Sequence, residues 1–511
     1  MEFNANDISG SMYDIAEPCA SAMIESLRSF GYNVQTATAD LIDNSISAGA
    51  ANVWLSFCWD GTNSHISIRD DGHGMTEAEL IRAMRPGSKN PMKERKSDDL
   101  GRFGLGLKTA SFSQCRRLTV ASRSESYEVA IRRWDLDYVN QVDEWRLLHT
   151  AAEGSAQKLN TLATMSHGTI VLWECLDRIV GEAETDDQKA YDDFLEIVEA
   201  VENHLAMVFH RFLEKRDRLK IWINHHPNPI EPWNPFLPHA QATQILPLER
   251  LPFKGETVQV QPYILPHHSK IDPDTYNKAA GTNGWNAQQG FYVYRNERLL
   301  VAGDWLGLGG YRKDEHCKLA RIQVDLPNSM DSDWNIDIKK SKARPPKQLK
   351  ADLKRIARLT RSRATEIYRH RGKVIARENA GKYAFLWDKK LRRGKVFYAV
   401  NQEHPLVQEA LKLPDTCQPV IRALLRLLEE TVPVQQIWID NATEPEKQPQ
   451  PFDGTPSDQV LEVMVEIYRA LRKSGMTQDQ ARDRLSIMEP FQNFESLIKT
   501  LSDQLIGGNP V

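Results

Sequence analysis

Three short motifs follow one another between residues 40 and 108, and they constrain this chain more than any other feature of its sequence. The first is an acid and an amide four residues apart, Asp40 and Asn44. The second, residues 70–75, is Asp-Asp-Gly-His-Gly-Met at the end of a strand pattern. The third, residues 101–108, is Gly-Arg-Phe-Gly-Leu-Gly-Leu-Lys before a helical pattern. Each motif alone is weak evidence, but three in this order predict one composite site.

The sequence around the motifs alternates between helical and strand periodicity. Apolar spacing predicts helices over 13–30 and 36–47 and a hairpin over 53–69. Strand patterns return from 117 to 134 and at 168–175. The polar residues 84–100, with proline and glycine among them, predict a long loop, and such loops are often lids. We therefore expect a helix layer on a mixed sheet, with this lid segment (residues 84–100) over the composite site.

In order and spacing the three motifs resemble the ATP site of the GHKL superfamily, which includes gyrase B subunits, MutL, MORC proteins and heat-shock chaperones of that fold. The resemblance covers about residues 10–345 and is most specific in the first 175. It implies an α/β chain, an α+β sandwich with an N-terminal Bergerat ATPase domain. It also implies ATP and Mg²⁺ as cofactors.

Asp40 and Asn44 project from one face of a helix because they are four residues apart. An ATPase needs an anionic group that orients or deprotonates water, and an oxygen ligand for Mg²⁺. The resemblance gives these roles to Asp40 and Asn44. The family usually has glutamate at the first position, so the shorter aspartate leaves open action through an extra water, slow hydrolysis, or another water-positioning group such as Asp43. The structural alternative is a solvated helix face.

In the second motif the resemblance gives Asp70 the adenine amine as a partner, since a lone carboxylate in a groove is costly unless it is hydrogen-bonded. Gly72 and Gly74 would let the backbone approach the nucleotide, and Met75 would pack against the base. Thr169 resembles the threonine that binds the water beside the adenine. The alternatives are an ordinary Asp-Gly turn and an ordinary threonine at a strand start.

The third motif would cradle the phosphates, because glycines free backbone amides and a helix that begins there directs its N-terminal dipole at an anion. Its lysine would neutralise the phosphate tail or stabilise the lid segment. The spacing fits neither a Walker A loop nor a Rossmann fingerprint. The candidate ligands in this motif are Gly101, Arg102, Phe103, Gly104, Leu105, Gly106 and Lys108.

Two further segments resemble phosphate-contacting parts of MutL and MORC proteins. Ser88 and Lys89 resemble a serine–lysine pair of the lid. After a later strand, Lys342 matches the MutL lysine that reaches the γ-phosphate, with Lys339 and Lys340 as alternatives. Such a lysine would distinguish ATP from ADP by charge and couple hydrolysis to domain movement.

Positive charge is concentrated in residues 339–395, which contain 21 lysines and arginines against four acids in a chain whose formal net charge is −4. A basic surface on an acidic body suits a polyanion, because each neutralised phosphate releases counterions. We therefore predict that 339–395 binds double-stranded DNA, with Arg358, Arg361 and Arg369 on a basic helix. The alternative is a solvated helix face.

The remaining composition excludes several classes of protein. The N-terminus has no basic and apolar regions of a signal peptide, and no window approaches the ~20 apolar residues of a membrane span. The six cysteines form no C-x-x-C pair, which excludes a zinc finger of the usual spacing and indicates reduced thiols. We expect a cytoplasmic protein without membrane contact.

Composition shifts divide the chain into five predicted segments. We predict the ATPase domain over 1–215 and a second α/β domain over 216–348, which by its resemblance to MutL and MORC second domains would be transducer-like, of S5 type. A basic helical region over 349–442 precedes a Pro-, Gln- and Glu-rich linker over 443–456. The C-terminal helical region, 457–511, is a candidate surface for a protein partner; a plain core face is the alternative.

Motifs and charge together predict a Mg²⁺-dependent ATPase of MORC/MutL-like type. By the resemblance, its N-terminal domains form a homodimer on ATP binding, and the basic segment suggests that the dimer clamps DNA. The alternatives are an ATP-driven protein chaperone and a nucleotide switch that acts on a protein partner without hydrolysis. DNA binding predicts steep salt dependence, whereas a chaperone predicts salt-insensitive partner binding.

Overall fold

A computed structural model of the chain divides it into two compact units, residues 1–372 and 373–511. The structure describes residues 18–87, 106–125, 127–215, 219–224, 226–336, 343–369, 386–392, 395–414, 417–433, 452, 457–486, 488, 491 and 494–506. Several predicted site residues lie outside this described part: Ser88, Lys89, Gly101, Arg102, Phe103, Gly104, Leu105, Lys339, Lys340 and Lys342.

The N-terminal part of the first unit is built on a six-stranded sheet. Its strands are β1 (Asn52–Cys58), β2 (His65–Asp70), β3 (Arg117–Arg123), β4 (Ala130–Asp135), β5 (Gly168–Glu174) and β6 (Lys220–Ile223). Their spatial order is β4-β3-β5-β2-β1-β6. Every pair is antiparallel except β1 with β6, which is parallel. The predicted mixed sheet is therefore confirmed.

Helices cover this sheet and share its apolar core. They are α1 (Ala20–Arg28), α2 (Val34–Ser47), α3 (Glu77–Met84), α4 (Gly106–Phe112), α5 (Leu136–Val142), α6 (Gln188–Val208) and α7 (His210–Glu214). The side chain of Asn33 caps α2 by accepting from the amide of Thr36, and Thr76 with Glu79 forms a capping box that begins α3. Caps and buried faces together fix where each helix begins, and α2 carries the first motif.

Strand β6 differs from the prediction, which placed residues 220–223 in the second domain. It pairs in parallel with β1, and Ile221 and Ile223 are buried in the core of the first sheet. The strand covers an edge of β1 that would otherwise expose unpaired backbone groups. The first domain therefore extends beyond residue 215.

The second part of the first unit is another mixed sheet. Its strands are β7 (Gln244–Ile245), β8 (Glu249–Phe253), β9 (Glu256–Ile264), β10 (Gly290–Arg295), β11 (Arg298–Asp304) and β12 (Ala320–Leu326). The order is β11-β10-β12-β9-β7, and β8 also pairs with β9. Its helices are α8 (Pro273–Ala280), α9 (Gly284–Ala287) and α10 (Lys350–Arg369). Asn296 and Glu297, both at positive φ, form the two-residue turn between β10 and β11.

Helix α10 also differs from the prediction of a separate basic region that starts at residue 349. Its apolar face, including Leu353 and Ile356, is buried in the core of the second sheet. Arg361 belongs to the same packing: its guanidinium lies 4.8 Å from the ring centroids of both Trp305 and Tyr311. Helical spacing of the apolar residues makes α10 part of this domain, while Lys350, Lys354 and Arg358 are exposed.

The second unit combines a hairpin with helices. Its elements are β13 (Trp387–Arg392), β14 (Lys395–Val400), α11 (Pro405–Leu411), α12 (Gln418–Glu430), α13 (Ser457–Lys473), α14 (Gln478–Ser486) and α15 (Glu495–Thr500). Val460, Met464 and Ile467 are buried in a core that α13 shares with α14 and α15, so this stripe is the core face that we gave as the alternative. Among the described residues, no helix has the length and apolarity to cross a membrane.

Candidate nucleotide site

The described end of the third motif lies beside α2, the helix that carries the first motif. Asp40 is buried, and the hydroxyl of Tyr32 donates to its Oδ2 over 2.9 Å. Asn44, one turn further along the helix, is exposed. A methyl group on Gly106, the first residue of α4, would lie 3.7 Å from Oδ2 of Asp40. The acid and the described end of the glycine-rich motif therefore lie side by side, and the amide follows one turn further along α2.

The second motif joins the same helix through Asp70. This buried carboxylate, at the end of β2, accepts a hydrogen bond of 2.9 Å from the Ser45 hydroxyl and one of 3.0 Å from the Gly72 amide. Burial raises the pKa of Asp70, and the bonds from Ser45 and Gly72 oppose that rise. Because an ionised carboxylate has about four acceptor positions, two donors leave capacity for a ligand amine.

The two glycines of the second motif are required by packing inside the protein. Gly74 has a φ of +66°, and a Cβ there would lie 1.8 Å from the carbonyl oxygen of Arg123. A Cβ on Gly72 would lie 2.7 Å from the Cβ of Ala48. We expected these glycines to make room for a nucleotide. The structure adds a different reason for them, since the motif passes directly against α2 and β3.

Thr169 lies next to Asp70, because the two residues are paired across β2 and β5. Its hydroxyl shares a hydrogen bond of 2.8 Å with the hydroxyl of Ser122. Ser122 also accepts from the backbone amide of Met75 over 2.8 Å and donates to the carbonyl of Gly168. Asp70, Thr169 and Met75, predicted from separate patterns, are thus brought together.

Lys108 of the third motif is hydrogen-bonded to the end of α3. Its side chain is buried, and Nζ donates over 2.9 Å to the carbonyl of Ala83 near the end of α3. A cation at this end of a helix interacts favourably with the helix dipole. Of the two roles predicted for Lys108, this contact is closer to stabilising the lid segment, which begins next to Ala83.

Asp43 is not placed to orient the attacking water in this structure. It is buried on α2 and accepts a hydrogen bond of 3.0 Å from Nε of Arg298, at the start of β11. The next acid of the second motif, Asp71, also has a structural role, since it accepts from the amides of Ala51 and Asn52. Asp43 and Asp71 thus both hold parts of the protein together, and a ligand role for Asp40 and Asp70 stays a prediction.

Sequence analysis missed Tyr32, Ser45 and Ser122. Ser45 could have been noticed, because it directly follows Asn44 of the first motif and lies one helical turn after the apolar Leu41 and Ile42. Tyr32 and Ser122 give no comparable signal, since neither belongs to a motif and each meets its partner only in the folded chain.

A magnesium ion would find one protein ligand here. Mg²⁺ is usually held by one or two protein oxygens, with phosphate oxygens and waters completing its octahedron. The exposed amide of Asn44, near Asp40, fits that requirement. In the described ranges, no group of three or more His, Cys, Asp or Glu could hold a metal ion. The nucleotide would supply most of the remaining ligands.

Comparison with known proteins agrees with this geometry. Residues 32–169, the segment from Tyr32 to Thr169, match the family model described as histidine kinase-, DNA gyrase B- and HSP90-like ATPase. The N-terminal domain is therefore a GHKL ATPase domain, as the three motifs indicated. The chain is also 29% identical over 129 residues to ATPase morc-1 of Caenorhabditis elegans. That match spans 25% of this chain and 15% of the relative, so the similarity to a MORC ATPase is distant and partial.

Proposed function

We propose that this chain is a Mg²⁺-dependent ATPase of MORC/MutL-like type. Two copies associate through their N-terminal domains when ATP binds, and the dimer clamps double-stranded DNA. The observation that carries ATP binding is the buried Asp70 carboxylate, held by Ser45 and Gly72 beside Thr169. A carboxylate fixed in this way, with its pKa raised by burial, suits an uncharged hydrogen-bond donor such as the adenine amine.

The adenine end of the site would be read by Asp70 and Thr169. Asp70 accepts from the exocyclic amine, and Thr169, fixed by its bond to Ser122, holds the water alongside. The Met75 side chain packs against the base. Since Asp70 and Thr169 lie on paired strands, the distance between them is set by the sheet and needs no loop closure.

The phosphate end would be handled from α2. Asp40 orients the attacking water, and Tyr32 holds the carboxylate in place. Asn44 would supply its amide oxygen to Mg²⁺, which would neutralise charge on the phosphates. Ser88, Lys89 and the glycine-rich residues 101–106 of the third motif would contact the phosphates, and Lys342 would sense the γ-phosphate. Aspartate in place of the usual glutamate favours slow turnover, with a switch without hydrolysis as the second candidate.

DNA would bind along 339–395, and α10 offers the described surface for it. Lys350, Lys354 and Arg358 are spaced four residues apart and are exposed, so they form one basic row on the helix. The neighbouring Arg355 is less suited to bind a phosphate, because its guanidinium is paired with Glu249. The row gives a linear array of positive charge, which matches a phosphate backbone.

The C-terminal region, residues 457–511, would in addition bind a protein partner.

The decisive experiment measures ATP turnover by the full chain with and without double-stranded DNA, and its mass with a non-hydrolysable ATP analogue. We expect slow turnover that DNA stimulates, and a mass that doubles with the analogue. ATP binding without turnover would favour the nucleotide switch. Turnover that responds to an unfolded protein client, but not to DNA, would favour the chaperone. Absence of ATP binding would overturn the assignment of the site.

A further inference from the structure

One buried ion pair joins the helix of the first motif to the second sheet. Nε of Arg298 donates to Oδ1 of Asp43 over 3.0 Å, and both side chains are almost fully buried. The two residues are 255 positions apart in the sequence. Arg298 begins β11 directly after the two-residue turn, so the tip of the β10–β11 hairpin is in contact with α2.

The surroundings of the guanidinium fix its position. Arg298 lies with its guanidinium 4.9 Å from the ring centroid of Phe209, at the end of α6. It also donates to the backbone carbonyl of Leu299. Desolvation and the nearby charge of Arg298 lower the pKa of His204 to about 3, so His204 is neutral at physiological pH. The Asp43 carboxylate is therefore the charge that balances Arg298 at this junction.

Asp43 lies next to the groups that carry the proposed chemistry. On α2 it follows Asp40 by three residues and directly precedes Asn44. With a rise of about 1.5 Å per residue, the Asp43 backbone is roughly 4.5 Å along the helix axis from that of Asp40. Because a helix moves as a rigid element, a pull on Asp43 displaces Asp40 and Asn44 together.

A second ion pair on the second sheet provides a contrast. Arg211 on α7 pairs with Asp325 on β12, and its guanidinium lies 3.6 Å from the ring centroid of Tyr294. Next to it, His210 forms a hydrogen bond of 2.9 Å with the Tyr294 hydroxyl. These contacts hold the connecting helix on the second sheet but do not involve α2.

We propose that the Arg298–Asp43 pair transmits the position of the second domain to α2, so that both are positioning residues for ATP hydrolysis. This inference rests on the proposed ATPase function and adds a route of coupling that does not pass through the nucleotide. When the second domain moves, the pair carries α2 with it or breaks, and breaking it separates two opposite charges that are almost fully buried. The site then has two discrete arrangements rather than a continuum.

The test compares three variants of the full chain: Arg298→Met, Arg298→Lys and Asp325→Asn. The first removes the link to α2, the second retains a positive charge there, and the third breaks the contrasting pair. For Arg298→Met we expect kcat to fall about 10- to 100-fold, as for a small misplacement of catalytic groups. ATP affinity should stay within about threefold. Arg298→Lys should recover part of kcat, and Asp325→Asn should leave kcat unchanged.

Wild-type kcat in a folded Arg298→Met variant would overturn the inference. So would a loss of kcat that follows thermal stability equally in Arg298→Met and Asp325→Asn, because that is the behaviour of a purely structural contact. If Arg298→Met does not fold, Arg298→Lys decides: a kcat below that of the wild type supports the inference, and a wild-type kcat overturns it. If the wild type binds ATP without turnover, the ATPase proposal fails. Amide exchange then decides the coupling: faster exchange of α2 in the Arg298 variant than in Asp325→Asn supports it, and equal exchange overturns it.

Discussion

The hydroxyl of Tyr32 donates a hydrogen bond of 2.9 Å to Oδ2 of Asp40, and both side chains are buried. Tyr32 directly precedes Asn33, the N-cap of α2, so the bond connects the approach to the helix with its first candidate catalytic group. Aspartate is one methylene shorter than the glutamate usual at this position. A fixed carboxylate is therefore more important here, because a short side chain has few alternative positions from which to reach water.

Tyr32→Phe tests this bond, since it removes the donor and keeps the ring. Loss of a hydrogen bond to a charged group should lower the free energy of unfolding by about 1.5–3 kcal/mol. We expect kcat for ATP to fall while KM changes little, because Asp40 loses its orientation and Asp70 is unaffected. Tyr468→Phe is the matched control: it removes a tyrosine–aspartate bond to Asp503 in the second unit. Equal turnover in the two variants would contradict the role of Tyr32.

Asp40→Asn keeps the size of the side chain and can still accept from Tyr32, but it cannot take a proton from water. We expect ATP affinity close to that of the wild type and a loss of turnover of about 10²-fold or more, as for removal of a general base. Calorimetry with ATP and steady-state phosphate release measure the two quantities. Turnover at the wild-type rate would show that Asp40 is not the base.

Asp70→Asn should separate ligand binding from folding. The amide can keep both hydrogen bonds of the carboxylate, accepting from Gly72 and donating to Ser45. We expect a folded protein whose ATP affinity falls by about 2–3 kcal/mol, because a charge-assisted bond to the adenine amine is lost. Calorimetry gives the affinity, and the melting temperature with and without ATP gives an independent check. Unchanged affinity would place the adenine elsewhere.

The same variant predicts a pH dependence of stability. Burial raises the pKa of Asp70 in the folded chain. A group with a raised folded pKa contributes stability that is present below its unfolded pKa, about 3.9, and is lost as pH rises through the folded value. The wild type should therefore lose stability relative to Asp70→Asn as the pH rises above about 4. Urea unfolding of both proteins across this range measures the difference; a difference that is constant or has the opposite slope would contradict the burial argument.

The sequence predicted the elements that carry the motifs because those elements depend on local patterns. Alternating apolar residues gave β1 and β2, and the end of β2 placed Asp70 at the edge of the site. Spacing of four residues put Asp40 and Asn44 on one face of α2. Each of these features is determined by residues within a few positions of one another.

What the sequence could not predict are contacts between distant segments. β6 pairs with β1, far earlier in the chain, so its local pattern gave no reason to assign it to the first sheet. The bonds from Ser45 to Asp70 and from Arg298 to Asp43 exist only once two elements pack together. The basic face of α10 was visible in its composition, but the partner of its apolar face was not. Arg361 was therefore expected at the DNA surface rather than against two aromatic rings.

The DNA proposal is tested with charge reversals that avoid Arg361. Lys354→Glu with Arg358→Glu alters the exposed basic row of α10, while Lys189→Glu with Lys220→Glu alters two exposed lysines of the first domain by the same charge. Only the α10 pair should weaken binding to double-stranded DNA, and the loss should be nearly independent of base sequence. The slope of the logarithm of the binding constant against the logarithm of the salt concentration should become shallower by the contribution of about two phosphate contacts. Fluorescence anisotropy over a salt series measures both quantities. Equal affinity and equal salt slope for the α10 variant and the wild type would show that the row does not contact DNA. Equal weakening by both double variants would show that binding depends on the net charge of the protein and not on a defined DNA surface.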